Sequence, residues 1–209
     1  MSRRLAGGKN QRSPRAALAL MRAFSVATLL LVAACSDSVS PPDLDHLVAL
    51  DPPRDVADFE LVDQHGRPFG VKDLRGRWTV LFVGFTHCPD ICPTTLGLLA
   101  SVQSKLLRGG SSLQFVFVSA DPERDSPSRL REYVGLFNAE WTALSGPFDQ
   151  LDRLLNSLQL AYVKVPMGNG DYTIDHSTAL VLIDPAASMV GFYPAPHEPA
   201  VLLADLANL

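Results

Sequence analysis

The run RWTVLFVGF (Arg77–Phe85) constrains this chain more than any other stretch. It is apolar at nearly every position rather than at alternate ones, so as a strand it is covered on both faces. The sequence that follows supplies a helix to cover it. Pro93 stands where a missing N–H is harmless in a first helical turn, and Leu96, Leu99, Val102, Leu106 and Leu107 recur at helical spacing. RGGSS (108–112) closes that helix.

The same alternation continues. LQFVFVSA (Leu113–Ala120) is a second buried strand, and DSPSRLREYVGLF (Asp125–Phe137) opens with a capping Asp or Ser before Pro127, a helix start. PFDQLDRLLNSLQ (Pro147–Gln159) is an amphipathic helix. AYVKV and YTI flank PMGNGD, so Ala161–Ile174 reads as a hairpin. STALVLIDP (Ser177–Pro185) and MVGFYP (Met189–Pro194) are strands joined by a tight turn at 185–188, and PAVLLADLANL (Pro199–Leu209) is a closing helix. Upstream, FELVDQHGRPFGVKDLRG (Phe59–Gly76) reads as a small hairpin turning at His65-Gly66. This order predicts an α/β three-layer sandwich, thioredoxin-like, with a central mixed sheet and an N-terminal hairpin. Cys88 and Cys92 then fall after the first central strand at the mouth of a helix, where α/β folds place their sites.

The N-terminus reads as an address. MRAFSVATLLLVAAC (Met21–Cys35) has one arginine, a short apolar run and small residues before a cysteine. The run is short against the roughly 20 apolar residues of a spanning helix and has the layout of a secretory signal. Val32-Ala33-Ala34-Cys35 resembles a bacterial lipobox, in which Cys35 becomes the lipid-bearing first residue. Residues 1–34 are thus expected to be a signal peptide, with Met21 an alternative start, and 35–55 a lipid-attached tether. The folded domain is expected over 56–209. Past residue 34 the chain has 12 basic and 22 acidic residues, a formal charge of −10. So acidic a domain is unsuited to nucleic acid.

FVGFTHCPDICPTTLGLL (Phe82–Leu99) holds Cys88 and Cys92, three residues apart where thioredoxin-type pairs have two. Helix-end N–H groups favour thiolate there, and thiolate is also the metal-binding form. With prolines at 89 and 93, one thiol is expected in the loop and one in the first helical turn. Two thiolates suit a soft cation, Cu(I) above all, but seldom satisfy a metal alone. Of the histidines, His46 and His65 read as solvent-facing, His197 has no convergent neighbours, and His87 reads as a hydrogen-bonder of the loop. His176 precedes a strand expected beside the cysteine strand, where many thioredoxin-like reductases place a proline. On the residues alone it is as readily structural as a ligand. Asp121 and Asp125 are expected to cap N–H groups rather than bind metal, Met167 to lie in a hairpin tip, and Asp175 to support His176 or contact a partner.

GFTHCPDICPTTL, VSADPERDSP and DYTIDHST, in this order, resemble the Sco/SenC family of copper-binding assembly factors from about Phe59 to the C-terminus. The resemblance implies a thioredoxin fold, membrane tethering, and copper, as Cu(I) and Cu(II), held by Cys88, Cys92 and His176, with Cys88 and Cys92 forming a disulfide when oxidised. It implies delivery of copper to the copper A site of cytochrome c oxidase subunit II, or reduction of that site's cysteines. The expected place is the periplasmic side of a bacterial inner membrane, with other periplasmic copper chaperones and thiol reductants as further partners. The alternative is a membrane-tethered thiol–disulfide oxidoreductase using Cys88 and Cys92 with His176 as bystander. A peroxiredoxin-like enzyme is disfavoured, because Thr86-His87-Cys88 lacks that setting.

Overall fold

The computed structural model describes residues 44–108, 113–168 and 170–209, so the signal segment and Cys35 lie outside the described residues. Strand β4 (Thr79–Gly84) is buried at all six positions, as its unbroken apolar run requires. It pairs in parallel with β5 (Gln114–Ser119), which pairs in parallel with β6 (Thr142–Ser145). Helix α1 (Ile91–Arg108) connects β4 to β5, and α2 (Pro127–Gly135) connects β5 to β6. Ser126 caps α2 by accepting from the Arg129 N–H, with Pro127 at its first position.

On the other side of β4 run β9 (Leu180–Ile183), β10 (Ser188–Tyr193) and β1 (Val48–Asp55), each antiparallel to its neighbour. Beyond β6, β2 (Glu60–Asp63) and β3 (Pro68–Gly70) form the N-terminal hairpin. The full order is β1-β10-β9-β4-β5-β6-β2-β3, a central mixed sheet of the kind expected. Helix α3 (Phe148–Ser157) follows β6, and α4 (Pro199–Leu206) packs against α1. β7 (Tyr162–Gly168) and β8 (Asp171–His176) stand apart as a two-stranded sheet. Among the described residues no helix is long and apolar enough to cross a membrane.

Two stretches differ from the sequence reading. The end of the expected tether, Val48–Asp55, is an edge strand on β10, and Leu44, Leu47 and Leu50 pack on the core. Pro52 and Pro53 fall where the register shifts between Ala49 and Arg54, an irregular edge where a missing N–H is tolerated. His46 is exposed as expected, and it also donates its backbone N–H to Asp205 Oδ2 at 3.1 Å and sets Nδ1 3.1 Å from Oδ1. The other stretch is β6. Four residues are too few to show alternation, and Thr142–Ser145 becomes a strand because β5 and β2 pair with it on either side.

Candidate metal centre

The site lies beyond the C-terminal ends of β4 and β5. Gly84 closes β4, and its carbonyl accepts the Ala120 N–H just past β5 at 2.8 Å. Gly84 is required by close approach, because a Cβ there would lie 2.7 Å from Phe117 Cε2 and 3.0 Å from Cys92 Sγ. Cys88 sits half-buried in the following loop, and Cys92 is fully buried in the first turn of α1. The thiols therefore divide between loop and helix as expected. The Cys92 N–H donates to Cys88 Sγ at 3.4 Å, and both cysteines are free.

One electrostatic expectation fails at Cys92. Burial pushes its thiol well above the ordinary range, against a backbone hydrogen bond from Phe85 and with neighbouring Cys88 and Asp125 adding to the rise. Desolvation outweighs the Phe85 bond, so burial favours the protonated thiol in the metal-free protein.

His176 ends β8, where it pairs with Tyr162. Its Nδ1–H donates to the Ser177 carbonyl at 3.0 Å, which assigns the tautomer and leaves the Nε2 lone pair free. Nε2 points at Cys92 Sγ, 3.5 Å away. The ring stands edge-on to Phe82 and Phe85, with centroids 6.1 and 6.0 Å distant. Burial lowers the His176 pKa, opposed in part by the Ser177 carbonyl and Asp175, so the imidazole is neutral and able to donate electrons. A cavity of 320 Å³ opens over the site, lined by Phe85, Cys88, Pro89, Ile91, Asp175 and His176 among others. Cavities of 450 and 690 Å³ elsewhere include neither cysteine.

The remaining candidates separate from this point. His87 Nδ1 lies 3.2 Å from Thr86 Oγ1 and 3.7 Å from Asp125 Oδ1, the loop bonding expected of it. His65 is exposed on its turn. Asp121, Asp125 and His87 come close enough to share an ion, but the carboxylates are already engaged. Asp125 accepts the Thr86 N–H at 2.9 Å, the Thr86 hydroxyl at 2.6 Å and the Ser119 hydroxyl at 2.6 Å. Asp121 accepts from Arg124 and from the Tyr172 hydroxyl. The expected helix-capping role is thereby corrected. Ser126 caps α2, while the two aspartates bind the cysteine loop and the hairpin. Met167 is 65% exposed on β7, and Asp175 faces solvent. Sequence reasoning missed Gly84, Phe82 and Tyr172 as parts of the site. Only DYTIDHST, which pairs Tyr172 with His176 at even strand spacing, carried a signal for one of them.

The model of the SCO1/SenC family matches residues 49–209. The chain belongs to that family. A putative copper-binding protein of Stutzerimonas stutzeri is 38% identical over 175 residues, covering 80% of this chain and 86% of that protein. The crystal structure of Arabidopsis thaliana ScoI with copper bound superposes with a TM-score of 0.69 at 35% identity, covering 73% of this chain and 95% of that one. A SCO1/SenC family lipoprotein from Bacillus anthracis superposes with a TM-score of 0.67 at 26% identity, covering 78% of this chain and 97% of that one. The mixed α/β architecture is accordingly the thioredoxin-like fold of this family.

Proposed function

We propose that this SCO1/SenC family member is a copper metallochaperone whose cargo is held by Cys88 Sγ, Cys92 Sγ and His176 Nε2. The observation that carries this reading is the 3.5 Å approach of a neutral imidazole nitrogen to a buried thiol 84 residues away in sequence. The donor set suits the cargo. Two sulfurs favour Cu(I), and one added nitrogen makes Cu(II) tolerable. The third residue between the cysteines places one sulfur in the loop and one in the helix, leaving room for an ion between them. Loading with copper releases the Cys92 proton, so binding is pH-dependent. The recipient is the copper A site of cytochrome c oxidase subunit II.

The lipobox at Val32–Cys35, together with the Bacillus anthracis lipoprotein relative, supports a lipid anchor on Cys35 and a place on the periplasmic side of the inner membrane. Titration of the domain with copper tests the reading. One equivalent is expected to bind tightly when Cys88 and Cys92 are reduced, and tight binding is expected to vanish when they are joined in a disulfide. Equal binding in both forms refutes it.

A second reading is favoured by the half-buried Cys88 sulfur beside the first helical turn, the attacking position of a thiol–disulfide oxidoreductase. Cys88 attacks a target disulfide and releases one target thiol. Cys92 then attacks the mixed disulfide and releases the second. The target gains two electrons and two protons, and the chain ends with a Cys88–Cys92 disulfide that a periplasmic thiol reductant restores. This reading makes no use of His176. Reduction of a target disulfide that survives His176→Ala, with copper binding unaffected, selects it.

A further inference from the structure

The thiol half and the imidazole half of the site belong to different bodies, and one short loop touches both. Residues 121–125 turn tightly between β5 and α2, with the Asp125 N–H donating to the Asp121 carbonyl at 2.9 Å. At one end, fully buried Asp125 grips Thr86, two residues before Cys88, by both N–H and hydroxyl. At the other, buried Asp121 accepts the Tyr172 hydroxyl at 2.8 Å, four residues before His176.

Tyr172 is held on several sides. The Arg124 guanidinium carbon lies 3.7 Å from its ring centroid, Arg124 Nη1 donates to the Tyr172 carbonyl at 3.0 Å, and Arg124 pairs with Asp121. Lys164 Nζ, paired with Glu123 at 2.6 Å, is 3.8 Å from the same ring centroid. Strand alternation puts Tyr172, Ile174 and His176 on one face of β8. Ile174 is buried in the core, so that face has an apolar foothold in the middle and a polar one at each end. Fixing Tyr172 sets the tilt of the strand about Ile174, and the tilt sets where His176 Nε2 falls.

We infer that Asp121 and Tyr172 are positioning residues that hold His176 against Cys92, and that the 121–125 loop sets the spacing between the two halves of the site. This rests on the proposed copper function for its consequence, though not for its test. The test uses Tyr172→Phe, which keeps the ring under Arg124 and removes only the hydroxyl, alongside Asp121→Asn. Ser188→Ala is the control, since its hydroxyl bonds Asp55 at 2.9 Å between β10 and β1 and touches neither half of the site.

The first readout needs no copper. The ring of His176 lies between Phe82 and Phe85, so its NMR resonances in the metal-free protein report its position through ring currents. They are expected to shift in Tyr172→Phe and Asp121→Asn and to stay in place in Ser188→Ala, with the melting temperature of Tyr172→Phe near that of the parent. The second readout is copper. Cu(II) affinity is expected to fall severalfold in Tyr172→Phe, with weakened imidazole coupling in the Cu(II) spectrum and a smaller change for Cu(I). Unmoved His176 resonances in Tyr172→Phe overturn the inference. A parent protein that binds no copper overturns the metallochaperone reading, and the resonances then still decide the positioning role.

Discussion

Cys92 and His176 meet at 3.5 Å, yet they stand on elements of opposite kind. Cys92 is fully buried on an 18-residue helix packed on the central sheet, so close to β4 that a Cβ added at Gly84 would lie 3.0 Å from its sulfur. His176 ends a two-stranded ribbon that stands outside the main sheet, in which only Ile174 is buried among the described residues. The thiol is held by core packing on a helix, the imidazole by one backbone bond and two edge-on aromatic rings at the end of a ribbon. Interiors resist deformation, whereas isolated two-stranded ribbons depend on what they lean against. Loss of a ligand on the rigid side should therefore cost more than loss of one on the ribbon side.

The largest effect is expected from the thiols themselves. Cys88→Ser or Cys92→Ser should abolish tight binding of both copper states, because one thiolate cannot hold Cu(I) against competing thiols. Competition titration with a Cu(I) chelator measures this. Cys92→Ser should also unfold at lower denaturant, since it replaces a fully buried sulfur by a smaller, more strongly hydrated hydroxyl, whereas half-buried Cys88→Ser should keep its midpoint. Equal midpoints for the two variants would remove the distinction between packed and loop-borne thiol.

Gly84→Ala probes the rigid half without removing a ligand. Its methyl would meet the Phe117 ring at 2.7 Å and Cys92 Sγ at 3.0 Å. Neither belongs to a flexible chain end, so relief requires displacing a packed ring or the sulfur. Overpacking of this kind costs about 1–3 kcal/mol. Urea denaturation should show that loss, and Cu(I) affinity should fall with it. The same substitution at exposed Gly97, where an added Cβ meets nothing within 4 Å, should do neither.

His176→Ala takes the ligand from the ribbon and should cost less. The fold should persist, thiol oxidation should proceed, and Cu(I) should bind with moderately reduced affinity on two thiolates. Cu(II), which prefers nitrogen and more ligands, should weaken further and lose its imidazole coupling. His87→Ala should change copper binding much less, as His87 is turned toward Thr86 and Asp125. Matching effects from the two histidines would break the assignment.

The contrast between the halves also explains what the sequence disclosed. β4, α1 and the cysteine loop were legible because burial on both faces leaves an unbroken apolar run and helical spacing leaves a stripe. Cys88 and Cys92 were conspicuous for the same reason, lying between two such signals. His176 was not decidable from residues alone, because its partner is 84 positions away and only folding brings them together. There the expectation came from the resemblance to known assembly factors, and its ligand role is a proposal. β1 and β6 escaped because both are defined by their neighbours, one by the free edge of β10 and the other by lying between β5 and β2. Asp121 and Asp125 were seen but given helix-capping roles, since a carboxylate near a helix start looks the same in sequence whether it caps that helix or grips a strand across the molecule.

The smallest expected effect concerns protons and compares two histidines. His176 and His197 each donate one ring N–H to a backbone carbonyl, of Ser177 and Thr178 respectively, and burial lowers the pKa of both. They use opposite nitrogens. His176 leaves Nε2 facing Cys92, while His197 leaves Nδ1 buried without a hydrogen-bond partner. In the unfolded chain each takes up a proton near pH 6.5, whereas in the folded chain each stays neutral to lower pH. The unfolded state then binds more protons. Stability should fall as pH drops below about 6.5 and level off once the folded-state values are passed. Denaturation of the metal-free domain at pH 7.5 and 5.5 measures the slope. His197→Gln should flatten its share and leave copper affinity unchanged. His176→Ala should flatten its share and also remove the imidazole from copper. If His197→Gln altered the Cu(II) spectrum, the buried nitrogen of His197 would have to be reaching the metal, and the assignment of the imidazole ligand to the ribbon would fall.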